Sequence, residues 1–141
     1  MSAKQLRLVL IDDDPGVLRA LGLVLSAMQY SVTSFSSPNE ALSYLKGRPE
    51  VDLVVTDLRM PELSGAELLD EIRRFTANLP VIVMSGHAAA SEVQDLNRKG
   101  ADGFIPKPFS PQQLVSAVHK AMARRKDEYH PGCTPRATGT Q

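Results

Sequence analysis

The chain has no tryptophan and only one cysteine, and aromatic residues make up just 5% of its 141 positions. The lone Cys133 cannot close an internal disulfide, which excludes a disulfide-stapled scaffold and makes a reducing, cytoplasmic setting the expectation. An excess of charge of either sign is also missing, since 16 basic and 16 acidic residues cancel to a formal net charge of +0. That balance removes the electrostatic case for direct nucleic-acid or membrane-surface binding. Long hydrophobic runs are absent too. Met1-Ser2-Ala3-Lys4-Gln5 leads straight into a short apolar stretch, and neither a signal peptide nor a membrane span is readable. What is left is an ordinary globular composition, 43% hydrophobic and 23% charged, in a chain of single-domain size.

Four short apolar runs each stop at a polar residue suited to phosphate or metal. Leu8-Val9-Leu10-Ile11 runs into Asp12-Asp13-Asp14, and Leu53-Val54-Val55-Thr56 into Asp57. Val81-Ile82-Val83-Met84 runs into Ser85, and Gly103-Phe104-Ile105-Pro106 into Lys107. Between these strands lie helix-length segments with apolar residues at helical spacing. Helices are expected at about residues 15–28, 38–45, 65–75, 89–99 and 111–125, with strands at about 6–11 and 31–35 besides the runs above. The second strand alternates with serine and threonine and reads as a sheet edge.

Helix starts are marked by Asp14-Pro15, Ser37-Pro38, Ser64 and Ser110-Pro111, where a capping side chain precedes the first turn. Glu40, Glu67 and Gln113, each three residues after its serine, complete capping boxes. The first helix should present Val17, Leu18, Leu21, Val24, Leu25 and Met28 to the core, and the third Leu68, Leu69, Ile72 and Phe75. The fifth should bury Leu114, Val115, Val118 and Met122. The fourth has only Val93 and Leu96 as sizeable apolar residues, ends at Gly100 as a left-handed cap, and should be the loosest. Residues 1–125 form the domain, and 126–141 read as a flexible polar tail without an output domain.

Strands joined by helices imply right-handed parallel crossovers. Five such units suggest a flavodoxin-like, doubly wound (βα)5 sheet in the order 2-1-3-4-5, whose switch point lies between the first and third strands. Asp12, Asp13 and Asp57 end those strands, and Ser85 and Lys107 end the next two. Ligands bind at that carboxyl edge in open α/β sheets. Clustered carboxylates repel one another, and burial raises their pKa values unless a cation neutralises them. Hard oxygen donors select Mg²⁺, which usually completes its shell with waters and phosphate oxygens. Lys107 can pair with a phosphoryl oxygen and the Ser85 hydroxyl can donate to another, while Gly86 leaves the approach open. An ionised Asp57 can act as nucleophile in an in-line phosphoryl transfer, which needs mainly positioning and charge neutralisation.

The arrangement resembles the receiver domains of bacterial response regulators over about residues 5–125. The matching stretches are Leu-Ile-Asp-Asp-Asp-Pro at 10–15, Thr-Asp-Leu-Arg-Met-Pro-Glu-Leu-Ser-Gly at 56–65, Met-Ser-Gly-His at 84–87 and Gly-Ala-Asp-Gly-Phe-Ile-Pro-Lys-Pro-Phe at 100–109. The resemblance implies that Asp57 accepts a phosphoryl group from the phosphohistidine of a sensor histidine kinase or histidine phosphotransfer protein. It implies Mg²⁺ on Asp12, Asp13, Asp57 and the Arg59 backbone carbonyl, with Ser85 and Lys107 on the phosphoryl group. Ser85 and Phe104 become the switch pair, and a downstream protein would dock on the face of the fourth helix, fifth strand and fifth helix. Arg59 and His87 fall where the family tunes dephosphorylation, and Lys107-Pro108 matches a bond the family often keeps cis. Such a domain accepts a phosphoryl group without being a turnover enzyme. It is expected as a single-domain protein or as part of a longer regulator or hybrid kinase. Two competing readings are a haloacid-dehalogenase-like phosphatase, with Asp12 as nucleophile and Asp14 as acid/base, and an interaction module that works without phosphorylation.

Overall fold

The computed structural model describes residues 5–47 and 50–128. Strands β1 (Arg7–Ile11), β2 (Ser31–Phe35), β3 (Leu53–Asp57), β4 (Val81–Ser85) and β5 (Gly103–Pro106) alternate with helices α1 (Pro15–Ala27), α2 (Pro38–Lys46), α3 (Gly65–Phe75), α4 (Ala90–Arg98) and α5 (Pro111–Glu128). The strands form one parallel sheet in the order β2-β1-β3-β4-β5. The expected doubly wound topology is therefore the observed one, with β1 and β3 adjacent at the switch point and β2 at one edge.

Alternate strand residues feed two apolar layers, as the period-2 pleat requires. Val9, Ile11, Val54, Val81 and Val83 meet Ala41, Leu45, Leu68, Leu69, Ile72 and Leu96 from α2, α3 and α4. Leu8, Leu10, Leu53, Val55, Ile82, Met84 and Ile105 meet Leu25, Leu114, Val118 and Ala121 from α1 and α5. Strands β3 and β4 are buried along their whole lengths, which is why they read as unbroken apolar runs rather than alternating ones.

The four expected cap side chains all accept helix amides, and two of the three expected capping boxes form. Asp14 accepts the Gly16 and Val17 amides, and Ser64–Glu67 and Ser110–Gln113 form reciprocal boxes. Ser37 accepts the Glu40 amide without the reciprocal Glu40 contact, and donates its hydroxyl across to Glu62 at 3.0 Å. Three burial expectations need correction. Phe75 is 40% exposed, because α3 ends there and the ring lies over a groove walled by Leu45, Val51, Leu79 and Pro80 rather than under the sheet. Met28 is the exposed cap residue of α1. In α5 the deep positions are Leu114, Val118 and Ala121, with Val115 and Met122 only half-buried on the flanks. Helix α5 continues to Glu128 instead of ending near 125, and residues 129–141, where composition predicts a tail, lie outside the described residues. Among the described residues no helix is long and apolar enough to cross a membrane.

Helix α4 fully buries only Leu96, as its sparse apolar pattern predicts. Gly100 follows it at φ +97°, the left-handed conformation that favours glycine. Polar ties supplement its packing: Lys99 Nζ lies 2.9 Å from Asp70 of α3.

Candidate functional site

The carboxyl ends of β1, β3, β4 and β5 bring the acids and the lysine together. Asp12, directly after β1, is 1% exposed, and its two oxygens have separate duties. Oδ1 accepts the Asp14 amide at 2.9 Å, and Oδ2 accepts from Lys107 Nζ at 3.1 Å. The same ammonium lies 3.2 Å from Asp57 Oδ1, so one cation bridges the ends of β1 and β3. Its backbone is tied as well, because the Lys107 amide donates to the Ser85 carbonyl at 2.8 Å. The Lys107-Pro108 bond is cis. Asp13 is exposed, and one carboxylate oxygen from each of Asp12, Asp13 and Asp57 lies within 4.8 Å of the others.

Burial raises the pKa of Asp57, and the negative charge of Asp12 raises it further, while Lys107 pulls it down without restoring the ordinary value. Burial alone would lower Lys107, but its hydrogen bond to Asp12 and the charges of Asp12 and Asp57 outweigh this and leave its pKa raised. Among the described residues, the three carboxylates thus outnumber the Lys107 ammonium that lies against them. Hard carboxylate donors, one of them open to solvent, fit a small divalent cation such as Mg²⁺.

Ser85 ends β4 beside this cluster and is 1% exposed. Its hydroxyl donates to the His87 carbonyl at 2.9 Å and accepts the His87 amide at 3.1 Å, so it is turned along its own loop. Phe104 on β5 is half-buried and packs against the core layer shared by α2, α3 and α4. The Arg59 side chain leaves the loop after β3 for α4, with Nη2 donating to Glu92 Oε1 at 2.7 Å and to the His87 carbonyl at 3.0 Å. Asp14 Oδ1 caps α1 by accepting the Gly16 and Val17 amides, as its place before Pro15 predicts.

Two contributors were not foreseen from sequence. Gly65 starts α3 hard against the end of β3: a Cβ there would sit 2.5 Å from the Asp57 carbonyl oxygen and 3.0 Å from Leu58 Cα. Its amide donates to the Leu58 carbonyl at 2.9 Å. The glycine ending the 56–65 motif was the available signal. Glu92 is the other, and nothing in its local sequence points 33 positions back to Arg59.

Comparisons with known proteins bear on the family and the fold. The family model described as "Response regulator receiver domain" matches residues 8–119. The transcriptional regulatory protein GlrR of Escherichia coli (strain K12) is 38% identical over 122 residues, covering 86% of this chain and 27% of GlrR. The chain thus spans about a quarter of that relative's length. A receiver domain protein from Clostridium thermocellum superposes with a TM-score of 0.80 at 30% identity, covering 86% of this chain and 97% of the other. A CheX–CheY–BeF3–Mg²⁺ complex from Borrelia burgdorferi contains a chain with a TM-score of 0.77 at 26% identity, covering 80% of this chain and 86% of that one.

Proposed function

Because this chain belongs to the response regulator receiver domain family, we propose that Asp57 is its phosphoacceptor, taking a phosphoryl group from the phosphohistidine of a sensor histidine kinase or histidine phosphotransfer protein. A carboxylate oxygen of Asp57 attacks phosphorus, the P–N bond breaks in line, and the imidazole leaves with the electron pair. The observation that carries this reading is the Lys107 ammonium held 3.1 Å from Asp12 and 3.2 Å from Asp57. It orients the acceptor and can pair with an incoming phosphoryl oxygen. Asp12, Asp13, Asp57 and the Arg59 carbonyl would hold Mg²⁺, which when bound supplies charge neutralisation for the phosphoryl oxygens.

The Ser85 hydroxyl leaves the His87 carbonyl to donate to the phosphoryl group, and the space vacated beside β4 lets the half-buried Phe104 rotate further toward the core. The signal is read on the face formed by α4, β5 and α5, where Phe104, Ile105, Ser116, Ala117 and Lys120 line a shallow groove. GlrR is a transcriptional regulatory protein of which the matched residues make up 27%. The balanced charge of this chain favours output through a protein contact, with no direct nucleic-acid contact from these residues.

Acetyl phosphate with Mg²⁺ should add one phosphoryl group by intact mass, mapped to Asp57 and lost in Asp57→Asn. Labelling at Asp12, with turnover of added phosphomonoesters, would overturn the proposal in favour of the phosphatase reading.

A further inference from the structure

Helix α4 differs from α1, α2 and α3 in how it begins. Its N-cap position is Ala89, which offers no side-chain acceptor, and the Ala89 amide is satisfied instead by Glu92 reaching back at 3.0 Å. The same oxygen, Glu92 Oε1, accepts from Arg59 at 2.7 Å. Arg59 also donates to the His87 carbonyl, the acceptor that Ser85 uses in this state. One guanidinium therefore ties the loop after the phosphoacceptor to both the β4–α4 loop and the first turn of α4.

On the reading that Asp57 is phosphorylated, we propose that Glu92 is a positioning residue that competes with the phosphoryl group for Arg59. Phosphorylation brings about −1.5 to −2 charges and strong acceptor oxygens to Asp57. Those oxygens draw the guanidinium off Glu92 and the His87 carbonyl, and α4 loses its tie to the β3–α3 loop while keeping its backbone cap. The pair is part exposed, with side chains 57% and 38% accessible, so the tie is weak enough to be exchanged. Lys99 still holds the other end of α4 to Asp70, so the helix would pivot at its C-terminal end.

Competition for one cation has a signature that a structural role lacks. Beryllofluoride, titrated at fixed Mg²⁺ and followed by the amide resonances of residues 57–59, reads the apparent affinity. Glu92→Gln keeps an acceptor for the Ala89 amide but removes the charge that holds Arg59, and should tighten binding by about two- to fivefold, the range expected of an exposed ion pair. Arg59→Ala should weaken binding by a similar factor, and the double variant should match Arg59→Ala alone. Beryllofluoride should also speed amide exchange at Glu92 and Val93 in the wild type, whereas in Arg59→Ala exchange should be fast from the start and respond little. Shifts of the same sign in both single variants, additive effects in the double variant, or an undiminished exchange response in Arg59→Ala would each overturn the competition while leaving the phosphoacceptor intact. Absence of any saturable response in the wild type would remove the phosphoacceptor reading, and this proposal with it.

Discussion

Asp57 carries a charge that its surroundings disfavour, because burial and the neighbouring Asp12 outweigh the help of Lys107. A carboxyl whose pKa is raised on folding binds more protons in the native than in the unfolded state, so its contribution to stability falls as pH rises. The loss accumulates from the ordinary carboxylate range up to the raised native value and is complete above it. Without divalent cation, Asp57→Asn should therefore melt at a higher temperature than the wild type at pH 7. That advantage should shrink as pH is lowered through the carboxylate range. Thermal melts in EDTA from pH 7 to pH 4 check this, and a wild type that is the more stable at pH 7 would contradict it. The same strain explains why the site suits phosphoryl chemistry: a cation or a transferred group relieves a repulsion that folding imposed.

Elements here are placed by what their ends touch. Helix α3 begins with Gly65 at the one point where its axis meets the backbone of Asp57 and Leu58, and a methyl group would lie 2.5 Å from a carbonyl oxygen. Gly65→Ala must push α3 away from β3 or bend the strand end that carries the acceptor. The expected cost is about 1–3 kcal/mol by urea denaturation, typical of overpacking against rigid neighbours. Labelling of Asp57 by acetyl phosphate should slow in the same variant, since the carboxylate moves relative to Lys107. Unchanged stability together with unchanged labelling would show that the junction has slack. Helix α4 is the contrasting case. It buries one side chain deeply and is positioned by ion pairs at both ends, which can be exchanged one at a time.

At the scale of the molecule, a single sheet separates two apolar layers, and neither layer is complete without it. The described domain should therefore unfold in one cooperative step. Leu69 lies in the layer under α3 and Leu114 in the layer under α5, both with 0% exposure. Leu69→Ala and Leu114→Ala should each cost about 2–5 kcal/mol. Their effects should add in the double variant, because they share no partner across the sheet. Chemical denaturation followed by far-ultraviolet circular dichroism and by tyrosine fluorescence should give coincident transitions. Two separated transitions would mean that the layers are independent.

The sequence alone determined the strand–helix alternation, most helix starts and the strand order, because apolar periodicity and caps are local signals and crossover handedness leaves few topologies. It also placed Asp12, Asp13, Asp57, Ser85 and Lys107 at one sheet edge, since each ends a strand or follows one within two residues and parallel strands share that edge. Tertiary structure decided what local patterns do not encode. The outward turn of Phe75 depends on where α3 outruns the sheet, and the diversion of Ser37 to Glu62 on a neighbouring loop. Only the packed chain shows Gly65 pressed on the Asp57 backbone, one ammonium shared by Asp12 and Asp57, and Arg59 reaching Glu92. Such contacts join residues far apart in the chain, and their distances are fixed by how helices seat on the sheet rather than by any spacing along it.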